Sequence, residues 1–402
     1  MSPGVELLRL DSRSPQLRAF SWAENAIVTR LFIGLMSGTS LDGVDGVLVG
    51  FGDTPSLAVR AHVHRAFPAE FAAELLALNT ADGNELHRAA LAGNAVANAY
   101  AEVVKALLET AGVLPSEVVA IGAHGQTVRH CPGAFDGIGY TVQLCNGALL
   151  AELTGIDVIA DFRSRDVAAG GQGAPLVPAF HRAAFGRDND SVAVLNIGGI
   201  SNLSVLAADG TTVGFDCGPG NLLMDHWCTR HRGEPYDRNG AWAASGSVDQ
   251  PLLGVMQNEP YFSLPPPKST GRDLFNPAWL NRCLNQTAAA GRMLDAVDVQ
   301  ATLTELTAWC CQQSMVHYAA DASRLLVCGG GAYNADLMRR LAQRLPDLKV
   351  DSAEAQGLAA DQVEAIAFAW LASAWVDRRA GNLPAVTGAR GPRILGALYP
   401  AA

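Results

Sequence analysis

The stretch Phe32-Ile33-Gly34-Leu35-Met36-Ser37-Gly38-Thr39-Ser40-Leu41-Asp42-Gly43-Val44-Asp45 decides the fold. An apolar run from Leu31 to Leu35 stops in small and hydroxylated residues. A second apolar run, Val44 to Phe51, follows, which is the pattern of two strands joined by a tight turn. Gly38 and Gly43 let the backbone turn sharply and approach a ligand with no Cβ in the way. Ser37, Thr39 and Ser40 offer hydroxyls, and successive N–H groups in such a turn can form a concave anion nest. Asp42 and Asp45 sit where they could orient water or a hydrated divalent cation. The turn therefore has the parts to hold a polyphosphate, although an ordinary Gly/Ser hairpin turn would carry the same residues.

Outward from there, Leu57 to Val63 reads as a third strand, and Pro68 to Val113 is helical in spacing. A short strand, Val118 to Gly122, opens into His124-Gly125-Gln126-Thr127, the kind of strand end at which open α/β sheets bind ligands. The opening theme then returns. Val192 to Ile197 and Ser201 to Leu206 flank a Gly198-Gly199 tip, so the chain reads as two halves, each starting with a hairpin that faces one ligand. Gly214-Phe215-Asp216-Cys217-Gly218-Pro219-Gly220-Asn221 reads as a third glycine turn opening a helix. Residues 297 to 320 form a long amphipathic helix through Leu303, Leu306, Trp309 and Met315. The strand Leu325 to Cys328 runs into Gly329-Gly330-Gly331, a strand end flat enough to lie against a planar ring. The last helix, Val363 to Arg378, is apolar on most faces and should be buried.

Composition excludes several classes. The 402 residues carry 29 Lys+Arg against 39 Asp+Glu, a net charge of −10, without the basic face a nucleic-acid binder shows. Eight scattered cysteines make no CxxC pair and no zinc spacing, which suits reduced thiols in a cytoplasmic protein. Residues 1 to 29 are charged throughout and lack the apolar core of a signal peptide, and no run approaches the ~20 apolar residues of a membrane span. With only Lys105, Lys268 and Lys349 present there is no GxxxxGK[ST], and no framed GxGxxG or GxSxG appears either. The histidines do not cluster at ligand spacing, and His62 and His64 alternate on one strand as surface residues would.

What remains is a set of glycine turns with carboxylates at their edges. Asp216 is the candidate general base, since such a base needs a fixed carboxylate within reach of the nucleophile's proton; the same residue could instead cap the following helix. Arg163 and Arg165 could clamp a carboxylate or serve structural ion pairs. His124 and Gln126 could bond sugar hydroxyls, or His124 could be a satisfied core histidine. Lys268-Ser269-Thr270-Gly271-Arg272, after three prolines, reads as a mobile loop suited equally to substrate or solvent.

These motifs resemble the anhydro-N-acetylmuramic acid kinase family. The residues that carry the resemblance are Gly34 to Asp45, Gly125-Gln126-Thr127, Asp161-Phe162-Arg163, Gly170 to Pro178, Asn196 to Gly199, Phe215 to Asn221 and Val327 to Gly331. The likeness runs from about Leu31 to Pro400. It implies the actin/hexokinase/Hsp70-type (ribonuclease H-like) α/β fold, two domains around an ATP cleft. Residues 30 to 165, joined by about 363 to 402, would form one domain, and 166 to 362 the other. It also implies dependence on ATP and Mg²⁺, a homodimer, a role in peptidoglycan recycling and amino-sugar catabolism, and 1,6-anhydro-N-acetylmuramic acid as substrate. Carried over, Ser37, Gly38, Thr39, Ser40, Leu41, Asp42, Gly43 and Val44 would bind ATP, with Gly198, Gly199, Gly329, Gly330 and Gly331 on the opposite wall. Asp42 would serve the metal and Asp216 would be the catalytic base. His124, Gln126, Arg163, Arg165, Gly171 and Gln172 would contact the sugar. Two features depart from the family pattern: the extension 1 to 29, and Ser164, where another basic residue is expected. A kinase for a different amino sugar, or an ATP-switched binding protein of the Hsp70 or actin type, would use the same fold.

Overall fold

The computed structural model describes residues 28–52, 57–288 and 294–401, with side chains from Arg30 onward, so the extension lies almost wholly outside the described residues. Val28–Met36 (β1) and Gly43–Gly52 (β2) form the expected hairpin, with Met36 opposite Asp45, and Leu57–Ala66 (β3) adds antiparallel to β2. Val118–Ala123 (β4) lies parallel to β1. Gln126–Pro132 (β5) and Gly139–Leu144 (β6) make a separate small ribbon, and Val158–Ala160 (β7) lies parallel to β4.

The second half repeats this plan. Val192–Ile197 (β8), Ile200–Leu206 (β9) and Thr212–Pro219 (β10) are an antiparallel meander; Arg324–Cys328 (β11) is parallel to β8, and Lys349–Ser352 (β12) is parallel to β11. The strand orders are β3-β2-β1-β4-β7 and β10-β9-β8-β11-β12, one topology used twice. That duplicated order is the ribonuclease H-like fold. Ala397–Tyr399 (β13) returns to pair with β7 at the edge of the first sheet. No helix among the described residues is long and apolar enough to cross a membrane.

Three cores follow from the layers. The helix Glu85–Ala111 covers the outer face of the first sheet, and Ala296–Tyr318 covers that of the second. Between the sheets lie the helices Val177–Phe185 and Val363–Val376, against Phe32 and Val47 on one side and Val194, Leu206 and Leu326 on the other. A helix sandwiched this way has no wet face, which is why Val363–Val376 is apolar all round. It sits unusually low on the first sheet. A Cβ on Gly34 of β1 would lie 1.9 Å from the Ala365 carbonyl oxygen, and one on Gly122 of β4 would lie 2.1 Å from that of Phe368. The strands carry glycine there so that helix backbone can rest on sheet backbone.

Two expectations need correction. Gly214 to Asn221 is not a turn: Thr212–Pro219 is strand, with a register shift between Asp216 and Gly218. Gly214 serves close packing rather than chain reversal, since a Cβ there would lie 2.7 Å from Pro178 Cγ. The helix Ala296–Tyr318 is not amphipathic but buried along most of its length, Thr302, Thr304, Thr307 and Ser314 included, and is exposed at its last turn, Val316 to Tyr318. Their hydroxyls bond to the carbonyls of Asp298, Gln300, Gly220 and Cys310, so burying them leaves no donor unmatched.

Candidate active site

The first hairpin is braced from beneath. Ser37 is buried and donates to the Gly125 carbonyl (3.2 Å), which leaves the Tyr100 hydroxyl to donate to Ser37 (2.9 Å). Gln126 Nε2 donates to the Gly38 carbonyl (3.1 Å), which the Leu41 N–H also approaches (3.3 Å). Ser37 and Gln126 therefore hold the turn in shape, while Thr39, Ser40 and Asp42 remain outside it. Leu41 takes φ 61°, a left-handed conformation that a bulky residue adopts only when its surroundings impose it. Ser40 Oγ donates to Asp42 Oδ1 at 2.6 Å and fixes that carboxylate. Asp45, the other carboxylate of the motif, is engaged elsewhere: its Oδ1 lies 3.0 Å from His64 Nδ1 and 3.4 Å from His62 Nε2. The two alternating histidines of β3 thus face a carboxylate across the hairpin.

The second hairpin meets the first. A Cβ on Gly199 would lie 3.2 Å from Thr39 Oγ1, so the two glycine tips, 160 residues apart in sequence, touch across the gap between the sheets. The Gly198 and Gly199 carbonyls accept from the N–H groups of Asn221 (2.8 Å) and Gly220 (2.9 Å), which ties this tip to the start of the helix Leu222–Arg232. Gly329, Gly330 and Gly331 follow β11 beside it, with Gly330 close to Asn221 Nδ2. Asp42, Asn221, Asp225, Gly330, Tyr333 and Asp361 line a cavity of ≈ 500 Å³. In it, burial and the Asp42 carboxylate push Asp225 from its ordinary 3.8 up to about 7, with Arg272 pulling the other way.

Asp216 lies within β10, opposite Asn202 of β9. Its main chain is clamped, since its N–H donates to the Lys268 carbonyl (3.2 Å) and its carbonyl accepts from the Tyr261 hydroxyl (2.8 Å). The carboxylate accepts from the Thr270 N–H at Oδ2 (2.9 Å). It does not cap the following helix. Burial raises its pKa from 3.8 to about 7, against the Thr270 hydrogen bond and the positive charges of Arg163 and Lys268. Thr270 Oγ1, on the residue that bonds this carboxylate, and Asn202 Oδ1, on the residue opposite Asp216 in β9, are buried with no hydrogen-bond partner among the described residues. A buried polar atom without a partner costs about 1–3 kcal/mol, so such a pair beside a carboxylate marks a place for water or a hydroxyl. The 268–272 loop does not hang free either: Arg272 Nε donates to the Thr39 carbonyl at 2.7 Å.

The remaining candidates divide. His124 is buried, with Nδ1 against the Ser37 carbonyl (3.2 Å) and Nε2 accepting from Arg163 (2.9 Å). Both ring nitrogens are used. Burial and Arg163 depress its pKa to about 3, so it is neutral and what it does is orient Arg163. Arg163 also donates to the Gly173 carbonyl (2.8 Å), and its charge is felt by Asp216 and Glu364. Arg165 is exposed and does not join this cluster. Gly171 and Gln172 belong to a loop held by Asp166, whose carboxylate accepts from Gly173 N–H, Asn382 Nδ2 and Thr387 Oγ1 at 2.7–2.8 Å. Ser164 starts the short helix Ser164–Ala168 next to Arg163.

A family model described as anhydro-N-acetylmuramic acid kinase matches residues 30–401. The chain belongs to that family. A curated anhydro-N-acetylmuramic acid kinase from Variovorax paradoxus is 61% identical over 376 residues, covering 92% of this chain and 99% of its own. One from Albidiferax ferrireducens is 57% identical over 391 residues, with the same coverages. Among solved structures, a ROK family glucokinase from Streptomyces griseus in complex with glucose and AMPPNP aligns at TM-score 0.40 and 14% identity. It covers 85% of this chain and 98% of that one.

For this anhydro-N-acetylmuramic acid kinase family member, sequence reasoning missed two carboxylates, Asp225 in the cavity and Glu364 in the central helix. Glu364 begins the central helix, and burial raises its pKa, while Arg163 and a hydrogen bond from Asn196 lower it. The signal was present as a single acid at the head of an otherwise apolar run, Val363 to Val376. Asp225 was passed over, and Arg272 was left equally suited to substrate or solvent, because their roles depend on which loops meet.

Proposed function

We propose that the chain opens the 1,6-anhydro ring of 1,6-anhydro-N-acetylmuramic acid with water and phosphorylates O6 from ATP, yielding N-acetylmuramate 6-phosphate and ADP. The observation that supports it is the closeness of two things such a reaction must bring together. Thr270 bonds the Asp216 carboxylate and Arg272 bonds the first glycine tip, so base and tip are held by anchor residues whose Cα atoms are at most about 7 Å apart along the chain. In this reading Asp216 takes a proton from water as the oxygen attacks the anomeric carbon. The bond from that carbon to O6 breaks, O6 attacks the γ-phosphorus, ADP leaves, and the proton passes from Asp216 to solvent. Thr270 Oγ1 and Asn202 Oδ1 would hold the water or a sugar hydroxyl, and Arg163 would supply positive charge beside them. Backbone N–H groups of the two tips would grip the phosphates without a P-loop lysine.

Mg²⁺ travelling with ATP would neutralise charge on the transferring phosphoryl group. Asp42, its carboxylate fixed by Ser40, offers such an ion hard oxygen at the tip. Domains 30–165 with 363–402, and 166–362, would close over the cleft. Family membership supports a place in cytoplasmic peptidoglycan recycling and assembly as a homodimer.

Product made in ¹⁸O-water should carry solvent oxygen on the anomeric carbon and none in the bridge to phosphorus. A product without the label would point to a kinase for a free amino sugar, and slow ATP hydrolysis that no sugar stimulates would point to a switch protein. The pH profile gives a second check. A base with a pKa of about 7 must be ionised to act, so kcat/KM should fall roughly tenfold per unit below about pH 7. A flat profile down to pH 5 would count against Asp216.

A further inference from the structure

The segment Lys268 to Arg272 does two things within five residues. It brackets Asp216, with the Lys268 carbonyl on its N–H (3.2 Å) and the Thr270 N–H on its Oδ2 (2.9 Å). It also reaches the other sheet, through Arg272 Nε on the Thr39 carbonyl (2.7 Å), a contact between residues 233 apart in the chain. Each anchor is short and directional, and the glycine between them, Gly271, gives the link no packing of its own. The near end is well seated: the Lys268 ammonium lies 4.8 Å from the Tyr261 ring and 5.9 Å from the Phe215 ring. The far end rests on the tip of the first hairpin, which is the part that would meet phosphates.

We propose that this segment is a strap through which nucleotide seated on the first hairpin sets the carboxylate of Asp216, with Arg272 as its positioning residue. The proposal rests on the reading of Asp216 as base and of that hairpin as the nucleotide loop. With the tip in place, Arg272 is held, Thr270 N–H is presented to Oδ2, and the base is aimed. When the tip shifts, the strap slackens and Asp216 loses its only side-chain hydrogen bond among the described residues. Water would then be activated only when a phosphoryl donor is present. The charged groups facing the two ends are Arg163 and Lys268 about Asp216, and Asp42 and Asp225 about Arg272. None of them duplicates either strap contact.

The test uses hydrogen exchange on the full chain, with peptides covering 264–276, in the presence and absence of a non-hydrolysable ATP analogue. The analogue should slow exchange there about tenfold, in Arg272→Met, which has no donor, it should not, and Arg272→Lys, which keeps a donor for the Thr39 carbonyl, should recover most of the effect. In Arg272→Met the acid limb of kcat/KM should also move up by about half a pH unit, because the Thr270 hydrogen bond that favours ionised Asp216 is weakened. Exchange that ignores the analogue in the native chain would overturn the strap, as would equal protection in Arg272→Met. The exchange arm does not depend on chemistry, so retained turnover in Asp216→Asn would sink the base assignment while leaving the strap to be judged by itself.

Discussion

Asp216→Asn is expected to lose at least ~10²-fold in turnover while melting at a higher temperature than the native chain at pH 8. The loss follows because an amide cannot take a proton from water. The gain in stability follows from linkage. The folded pKa of about 7 lies above the ordinary 3.8, so the folded chain holds this proton more tightly than the unfolded chain does. The resulting penalty is absent below about pH 4, grows through the window from 4 to 7, and is complete above it. Three units correspond to a few kcal/mol at most, on the scale of ~1.4 kcal/mol per unit. Asn escapes that penalty. It keeps an oxygen for the Thr270 N–H, and weakening that bond from charged to neutral offsets only about 1 kcal/mol. The difference in melting temperature should therefore shrink towards zero as pH falls to 4. Thermal scans at pH 4, 6 and 8 with steady-state rates settle both halves. A variant that melts lower at pH 8 would mean the carboxylate is not under burial strain, and near-normal turnover would remove Asp216 from the chemistry.

The second large effect concerns folding. Gly34→Ala should destabilise the chain by about 3 kcal/mol or more, beyond the usual range for one added methyl, because what the methyl meets cannot rotate away. Its nearest neighbours are all helix main chain: the Ala365 carbonyl oxygen at 1.9 Å, Ala369 N at 2.7 Å and the Ala365 carbonyl carbon at 2.9 Å. Relief needs the whole helix Val363–Val376 to lift by more than an ångström. That helix packs against both sheets, so lifting it opens the central core and carries Glu364 out of line with Arg163. Gly122→Ala, 2.1 Å from the Phe368 carbonyl, should behave alike. Gly83→Ala, with nothing within 4 Å and no positive φ, is the control and should change stability by less than about 0.5 kcal/mol. Urea midpoints for the three variants make the comparison. A Gly34→Ala midpoint matching the control would show that the helix does not lie as close as described.

Much of the architecture was legible because local patterns and tertiary demands agree. Gly34 to Asp45 and Asn196 to Ser201 each show an apolar run, a small-residue tip and a second apolar run, and each folds as a hairpin. The buried central helix was legible for the same reason, since a helix covered on all sides must be apolar on all sides. Glycine was the ambiguous letter. At Gly198-Gly199 it marks a tip, whereas at Gly214 and Gly34 it marks a strand pressed against another element, and only the neighbours distinguish the two. Serine and threonine misled in the same way along Ala296–Tyr318, where each hydroxyl is satisfied within its helix or by a nearby carbonyl.

By itself the sequence determined the duplicated hairpin plan and the candidacy of Asp216, because these rest on residue types at fixed short spacings, and its motifs carried the resemblance to the kinase family. The tertiary structure decided what those residues do. His124 became the support of Arg163, Asp45 was taken up by His62 and His64, Arg165 was left in solvent, and Arg272 was brought 233 positions along the chain to Thr39. Partners that distant are set by how two sheets pack around a shared helix, and no local spacing records that.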